Sequence, residues 1–597
     1  MPRTSRPLTI HPIVLRQAEV TRVVDVSPNL RRLTLAGPDL AEGIMGEGFA
    51  RPAFSSTGFD DHVKMVVPPA DGDLPRAGTQ EERRFAWNPE VLEFTRDYTV
   101  RAWDPAVGTF DVEVVRHDHG LAAEWAFRAT PGDAIAFAGP KSCAGVNHDV
   151  DWHLVAGDET ALPAVARWLE EAPEDVRGHA IVEVPSEADR LDLPRPAGVT
   201  LEWLVRGEVP AGHSRQLDAA VRRFTPPSGR GFAWIAGEAM TIAPLRRYLR
   251  NELGLPKEDV EVVGYWRRTA SPEETVVQPP ERDDAERLVP PTPASEDTAR
   301  AVLEHVHEMT ELAPPIVTRV AVTLGINPAV ARGADTVAAL ADSTGVAAER
   351  LAPLLDAMTA LELLEHDGKA YRNTARGAVL MEEHSIDELD LADPANRDAL
   401  ALVDLLDVLR TGLPSARSGT ATWRGRRAAD PALQAGYDSR AADELQYVLQ
   451  ALAELAPVKA AGTLAVFGDA AALVASSVAA GRTVHLPGED VADWPAHDCA
   501  VVVGALEGRT DDDALRVLRS ALSSGTTVVL SERVADGADE DDHVAEHALT
   551  SLALSGLPMR TRDELTALLR RAGASEVERE VLGWGFGQLS RVLVAQA

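Results

Sequence analysis

The amino-terminal quarter of the chain is written in short β-branched runs broken by turn residues. Residues 18–26 and 30–35 flank a Ser27-Pro28-Asn29 turn, and residues 62–67, 95–103 and 109–115 continue the pattern. Runs of this length, bounded by Gly and Pro, read as strands, and many of them together predict an antiparallel β-barrel over 9–145. One helix is expected inside that region, over 121–129, ending ahead of Pro131 because a residue before proline is pushed out of the helical conformation.

From residue 150 the period changes. The apolar run 152–156 ends at Gly157 and a helix over 162–171 follows; strands at 180–184, 201–205 and 232–237 then lead into a helix ending near 253. Strand and helix in alternation predict a parallel sheet with helices on its faces, an α/β nucleotide-binding domain over 150–269. Residues 270–297 are rich in Pro, Glu and Asp and read as a linker. Between 298 and 385, Val302, Val306 and Met309 keep helical spacing, helices are expected at 337–341 and 351–364, and 363–371 reads as a β-wing turning at Asp367-Gly368. That is a winged-helix outline. A second α/β region, Rossmann-like, fills 386–597, with strands at 464–467, 483–486, 499–503 and 526–530.

Charge narrows the partners. The 597 residues carry a formal net charge of −34, which disfavours nucleic acid. Two cysteines, Cys143 and Cys499, supply neither a disulfide framework nor an all-cysteine iron–sulfur cluster within one chain. With no leader pattern and no apolar run of membrane-spanning length, a cytoplasmic protein without membrane contact is expected. His11, His117, His119 and His148 fit no zinc spacing, and the acidic run 539–542 lacks the alternating ligands and glycine of a calcium loop, so no metal site is expected.

Two segments carry candidate chemistry. On a strand, Arg96 and Tyr98 share one face while Thr99 and Arg101 share the other. Arg96 suits a phosphate, Tyr98 suits the side of a flavin or its ribityl chain, and Thr99 offers a hydroxyl. Gly120 opens the 121–129 helix, so the backbone N–H groups of Ala122 and Ala123 can face a pyrophosphate. The second segment, Gly157-Asp158-Glu159-Thr160-Ala161-Leu162-Pro163-Ala164, passes from strand to helix at the ligand-facing edge of an open α/β sheet.

With these motifs in order, together with Asp61-His62-Val63-Lys64, Trp234-Ile235-Ala236-Gly237-Glu238 and Gly264-Tyr265-Trp266-Arg267-Arg268, residues 12–268 resemble the siderophore-interacting family of flavin-dependent ferric-siderophore reductases. The resemblance implies FAD held by Arg96, Tyr98 and Thr99, with Arg101, Gly120, Ala122 and Ala123 beside it. It implies a nicotinamide nucleotide, NAD(P)H, served by Asp158, Glu159 and Thr160. Its substrate is a ferric siderophore; many are anionic, so Lys141, Arg246, Arg247, Arg267 and Arg268 are candidates for steering it. The chain departs from the family at Gly120-Leu121-Ala122-Ala123-Glu124, where Gly-Pro-Ala-Ser is usual; the lost hydroxyl at Ala123 and the added carboxylate at Glu124 would weaken FAD binding. Thr269 replaces the glycine after the last motif.

Residues 299–592 resemble small-molecule O-methyltransferases with a winged-helix dimerisation domain, through Leu409-Arg410-Thr411-Gly412 and Asp430-Pro431. This resemblance implies a homodimer through the C-terminal half. The cofactor motif is eroded: Gly468-Asp469-Ala470-Ala471-Ala472 has one glycine, the ribose-binding acid falls at His485, and the catalytic histidine falls near Glu507. The expected reading is a flavin reductase fused to a methyltransferase-like half without methyl transfer. A bifunctional enzyme using Asp469 or Glu489 at the methyl donor, and a siderophore-binding protein without catalysis, are the alternatives.

Overall fold

Short strands without a long apolar face escape exposed edges by closing on themselves, and the amino-terminal part of the computed structural model does so. The chain starts with β1 (Leu8–Ile10), β2 (Leu15–Ser27) and β3 (Leu30–Ala36). Two short ribbons follow, β4 (Gly43–Ile44) on β5 (Ala50–Arg51) and β7 (Gly78–Gln80) on β8 (Phe85–Trp87), with β6 (His62–Val66) between them. Then come β9 (Thr95–Asp104), β10 (Thr109–Val115), helix α1 (Leu121–Arg128), β11 (Ala134–Ala138) and β12 (Ser142–Ala144). Six of these strands close in the order β10-β3-β2-β11-β6-β9, antiparallel throughout. Leu33, Leu35, Val63, Met65, Val100, Phe110 and Phe137 fill the barrel, and α1 plugs it with Trp125 and Ala126.

The next layer is β13 (Trp152–Gly157), α2 (Leu162–Glu171), β14 (Gly178–Val184), β15 (Val199–Val205), α3 (Gln216–Arg223), β16 (Gly231–Glu238), α4 (Ala239–Arg247) and β17 (Val260–Trp266). The sheet order is β15-β14-β13-β16-β17, with β13 parallel to both neighbours. Every residue of β13 and β16 is buried, as central parallel strands covered on both faces require. The chain leaves β13 toward β14 on one side and later returns to β16 on the other, so the order reverses between β13 and β16.

The structure describes residues 4–45, 48–68, 76–81, 85–116, 120–267, 310–415, 422–488, 494–524, 527–536, 543–583 and 589–597. The expected linker, His117, His119, Arg268, Val302, Val306, Met309, Glu489 and the acidic run lie outside these. Contacts divide the chain into two compact units, Met1–Gly237 with Leu245–Tyr265 and Asp393–Ala597, and Glu238–Pro244 with Trp266–Ala392.

Within the second unit, α5 (Ala313–Leu324), α6 (Ile326–Ala331), α7 (Val337–Thr344) and α8 (Ala348–Ala360) pack around Leu340, Leu351, Leu355 and Met358. The hairpin β18 (Leu364–His366) and β19 (Tyr371–Asn373) is the expected wing. Its turn is held by Asp367, which accepts from the Lys369 and Ala370 N–H groups at 2.9 Å each, while Gly368 takes φ 88°.

The C-terminal part of the first unit runs α9 (Trp423–Ala429), α10 (Pro431–Leu445), β20 (Thr463–Gly468), α11 (Ala471–Val478), β21 (Thr483–His485), β22 (Cys499–Val503), α12 (Asp511–Ser524), β23 (Thr527–Ser531), α13 (Arg562–Ala572), β24 (Glu576–Leu582) and β25 (Leu589–Gln596). The sheet order is β21-β20-β22-β23-β25-β24, and only β25 runs against its neighbours. Among the described residues no helix is long and apolar enough to cross a membrane, and no group of three or more His, Cys, Asp or Glu could hold a metal ion.

Candidate functional site

Strand β9 builds the flavin-side candidate. Arg96 and Asp97 are exposed, Tyr98 is half-buried, and Thr99, Val100 and Arg101 are buried in succession. Both faces of the strand are covered here: Tyr98 and Val100 pack on the barrel core, while Arg101 on the other face meets α2 of the parallel-sheet layer. A register shift opposite Asp111 and Val112 leaves Arg101 without a ladder partner. Its guanidinium donates to both oxygens of Glu170 on α2, at 2.7 and 2.6 Å, with Glu113 at 3.7 Å. Arg101 is therefore a strut between barrel and sheet.

Arg96 is placed differently. It donates to the backbone carbonyls of Glu93 and Thr95, at 2.8 and 2.7 Å, and among the described residues no carboxylate pairs with it. Burial pushes the neighbouring Tyr98 hydroxyl up to about 12, against the opposing pull of Arg96, so the phenol stays neutral. Across the barrel seam His62 stands opposite Thr99 and Lys64 opposite Asp97. Lys64 bonds Asp97 at 3.0 Å. Burial, with Lys64 nearby, lowers the Lys141 ammonium pKa while Asp97 raises it. Arg96, Lys64 and Lys141 thus give this edge a basic character in an acidic chain.

Gly120 caps α1 with φ 146°, a backbone that glycine tolerates best. Ala122 and Ala123 are buried in the barrel core, so the family hydroxyl missing at Ala123 falls on an inward-facing position. Glu124 is exposed.

The second segment sits at the carboxyl edge of β13, where the strand order reverses, the usual ligand crevice of an open α/β sheet. Gly157 is tightly enclosed: an added Cβ would lie 2.4 Å from Ala161 Cβ and 2.5 Å from the Ala236 carbonyl. Opposite, Gly237 at φ 154° leaves room for the Asp158 carboxylate, which a Cβ there would meet at 2.8 Å. Asp158 accepts from the Thr160 N–H at 2.9 Å and its hydroxyl at 2.5 Å. Glu159 accepts both arms of Arg206 at 2.6 Å; burial raises its pKa although Arg206 opposes. The three residues shape the turn.

Of the steering cations, Lys141 lies at the basic edge. Arg246 is buried, 5% exposed, and donates to the Val262 carbonyl, an internal tie. Arg247 is half-buried. Arg267 is exposed and pairs with Glu382.

Sequence reasoning missed the joint between barrel and sheet. Arg6 lies over the Phe59 ring at 4.3 Å and donates to Asp60 Oδ2 at 2.9 Å and Glu261 Oε2 at 3.0 Å. Trp234 Nε1 donates to the same Asp60 oxygen at 3.0 Å. Tyr265 has its pKa raised by burial and then by Asp60. Arg167 on α2, 2% exposed, donates to Ser56 Oγ and the Val100 carbonyl at 2.8 Å each and to the Ser56 carbonyl at 3.0 Å. Ser56 in turn donates to Asp61 at 2.9 Å. No local pattern announces Arg6 or Glu261; the Asp61, Trp234 and Tyr265 motifs point toward this seam.

A six-stranded antiparallel barrel with an arginine–tyrosine–threonine strand, followed by a five-stranded sheet with a glycine-lined switch point, defines a two-domain flavin and nucleotide module. Residues 19–144 match the model of the siderophore-interacting FAD-binding domain and residues 150–269 that of the siderophore-interacting protein. The ferric vibriobactin reductase ViuB of Vibrio cholerae serotype O1 is 30% identical over 256 residues, 42% of this chain and 89% of the relative. The NADPH-dependent ferric-chelate reductase of Escherichia coli K12 is 30% identical over 254 residues, 42% of this chain and 92% of the relative. The chain belongs to the siderophore-interacting protein family. In the C-terminal half the O-methyltransferase NcsB1 from neocarzinostatin biosynthesis is similar at 22% identity, covering 49% of this chain and 98% of that one with a TM-score of 0.42.

Proposed function

We propose that the amino-terminal half reduces ferric siderophores to release Fe(II), with FAD as the bound cofactor and NAD(P)H as the electron source. The observation that carries this reading is the β9 edge: an arginine that among the described residues meets no carboxylate, a half-buried tyrosine and a buried threonine, in a chain whose family includes ferric-chelate reductases. The donor set suits FAD. The open edge of Arg96 matches a phosphate, Tyr98 presents an amphipathic ring, and Gly120 at the start of α1 leaves backbone N–H groups for the pyrophosphate. FAD, when bound, supplies the conversion between a two-electron donor and one-electron acceptors. The balance is one NAD(P)H and two Fe(III) giving NAD(P)⁺, one proton and two Fe(II).

The chain's own residues position. Arg101 and Arg167 bind α2 to the barrel wall, so the crevice at Gly157 and Gly237 keeps a fixed relation to β9. Proximity and order of this kind supply most of the catalysis when no acid or base is required. Lys64, Arg96 and Lys141 draw an anionic chelate to the same edge. Fe(II) is held less tightly than Fe(III) by hard oxygen ligands, so reduction releases it.

Anaerobic stopped-flow tests the reading. The purified protein should be yellow, should bleach with NADPH or NADH, and should regain colour with a ferric catecholate or hydroxamate as Fe(II) appears. A colourless protein that FAD cannot reconstitute would overturn it.

A further inference from the structure

In the C-terminal sheet the chain passes from β20 to β21 on one side and then to β22 on the other, so the ligand crevice of an open α/β sheet belongs at the carboxyl ends of β20 and β22. The methyltransferase resemblance would put S-adenosylmethionine there. The backbone keeps the shape of a ligand-binding turn. Gly468 is at φ 110° with the Val503 carbonyl 1.9 Å from an ideal Cβ, and Gly504 is at φ 54°. Ala470, at φ 52°, holds a left-handed conformation where glycine is the usual choice.

Side chains of the same chain fill this crevice. Arg427 on α9, 2% exposed, donates to Asp469 Oδ1 at 2.6 Å and lies over the Tyr437 ring at 4.2 Å. Arg424, one turn earlier, reaches Asp469 at 3.7 Å and donates to the Glu507 carbonyl at 2.9 Å and to the Gly504 carbonyl. It therefore spans both strand ends. The Asp438 carboxylate on α10 accepts the Ala470 N–H at 2.8 Å, the position a ligand anion would take at the start of α11. Trp423 closes on Gly508, where an added Cβ would meet its ring at 2.6 Å. Glu532, from the end of β23, accepts the Leu506 N–H at 2.8 Å.

We infer that this crevice is sealed by an internal clamp, with Arg424 and Arg427 gripping Asp469 and Asp438 taking the turn's N–H, so that the domain is closed to S-adenosylmethionine and serves as a structural module. The residues do not fit the nucleoside: the carboxylate available to a ligand is consumed, and the nearer cation that consumes it, Arg427, is itself buried. Opening the site would strand a buried ion, which is costly.

Calorimetry on the full-length protein tests this. S-adenosylmethionine and S-adenosylhomocysteine, titrated to about 1 mM, should give no saturable heat; saturable binding in the micromolar range would overturn the inference. A second measurement stands apart from ligand. Arg427→Met leaves Asp469 without its closest partner and should lower the unfolding midpoint of the C-terminal half by about 5 °C or more. An unchanged midpoint would show that Asp469 does not depend on the clamp and would equally overturn it.

Discussion

Replacing Arg167 by methionine probes the joint on which the amino-terminal half depends. Methionine keeps the apolar stem and removes every donor. Arg167 serves the Val100 and Ser56 carbonyls and the Ser56 hydroxyl from a position 2% exposed. A buried acceptor left without a donor costs about 1–3 kcal/mol, so two carbonyls give a loss of about 3 kcal/mol even with partial relaxation. At about 2–4 °C per kcal/mol for a domain of this size, the melting transition should fall by about 6–12 °C. Tryptophan fluorescence with flavin release as a second probe reads it. Val100 follows Thr99 on the bulged strand, so flavin release should come earlier than in the parent protein. A shift under about 2 °C by both probes would refute the claim that Arg167 joins α2 to the barrel.

Other outcomes follow from the same contacts. Arg96→Ala should weaken FAD about 10- to 100-fold, read by flavin fluorescence titration, because a charge-assisted phosphate contact is lost. Lys64→Glu with Lys141→Glu should raise KM for an anionic ferric chelate about tenfold at low ionic strength, with the gap closing as salt screens the edge. Burial pushes the Glu532 carboxyl up to about 7, opposed by Arg424. Its folded pKa is above its unfolded value, so the folded state binds the proton more tightly, and stability from the neutral acid is full below the ordinary carboxylate range and lost as pH rises to about 7. Glu532→Gln should therefore stabilise the C-terminal half above pH 7 by up to about 3 kcal/mol, with the gain fading toward pH 4 in urea unfolding series.

The barrel, the parallel sheet and the wing were legible because each rests on local signals. Short β-branched runs, the Gly157 strand-to-helix turn and the Asp367-Gly368 turn act within a few residues. What stayed hidden depends on partners far along the chain. Alternation put Arg101 on the face opposite Tyr98 and Val100, as found, but nothing on the strand tells that Glu170 of α2 meets it there. Arg246 carries the same charge as a solvated arginine, and only the packing against Val262 shows it to be internal. In the C-terminal half the loss of glycines was readable; the arginines that replaced the ligand were not, since α9 precedes the turn by about forty positions and no motif joins them.

The Arg6 contact with Glu261 spans 255 positions. During synthesis the barrel strands can pair as they emerge, but the leading arm must wait until β17 has left the ribosome before its guanidinium finds both carboxylates. Closure of so long a loop is slow. Until then a nascent chain halted before β17 would hold its first segment through β12 and Asp60 alone, with the Glu261 half of the joint missing.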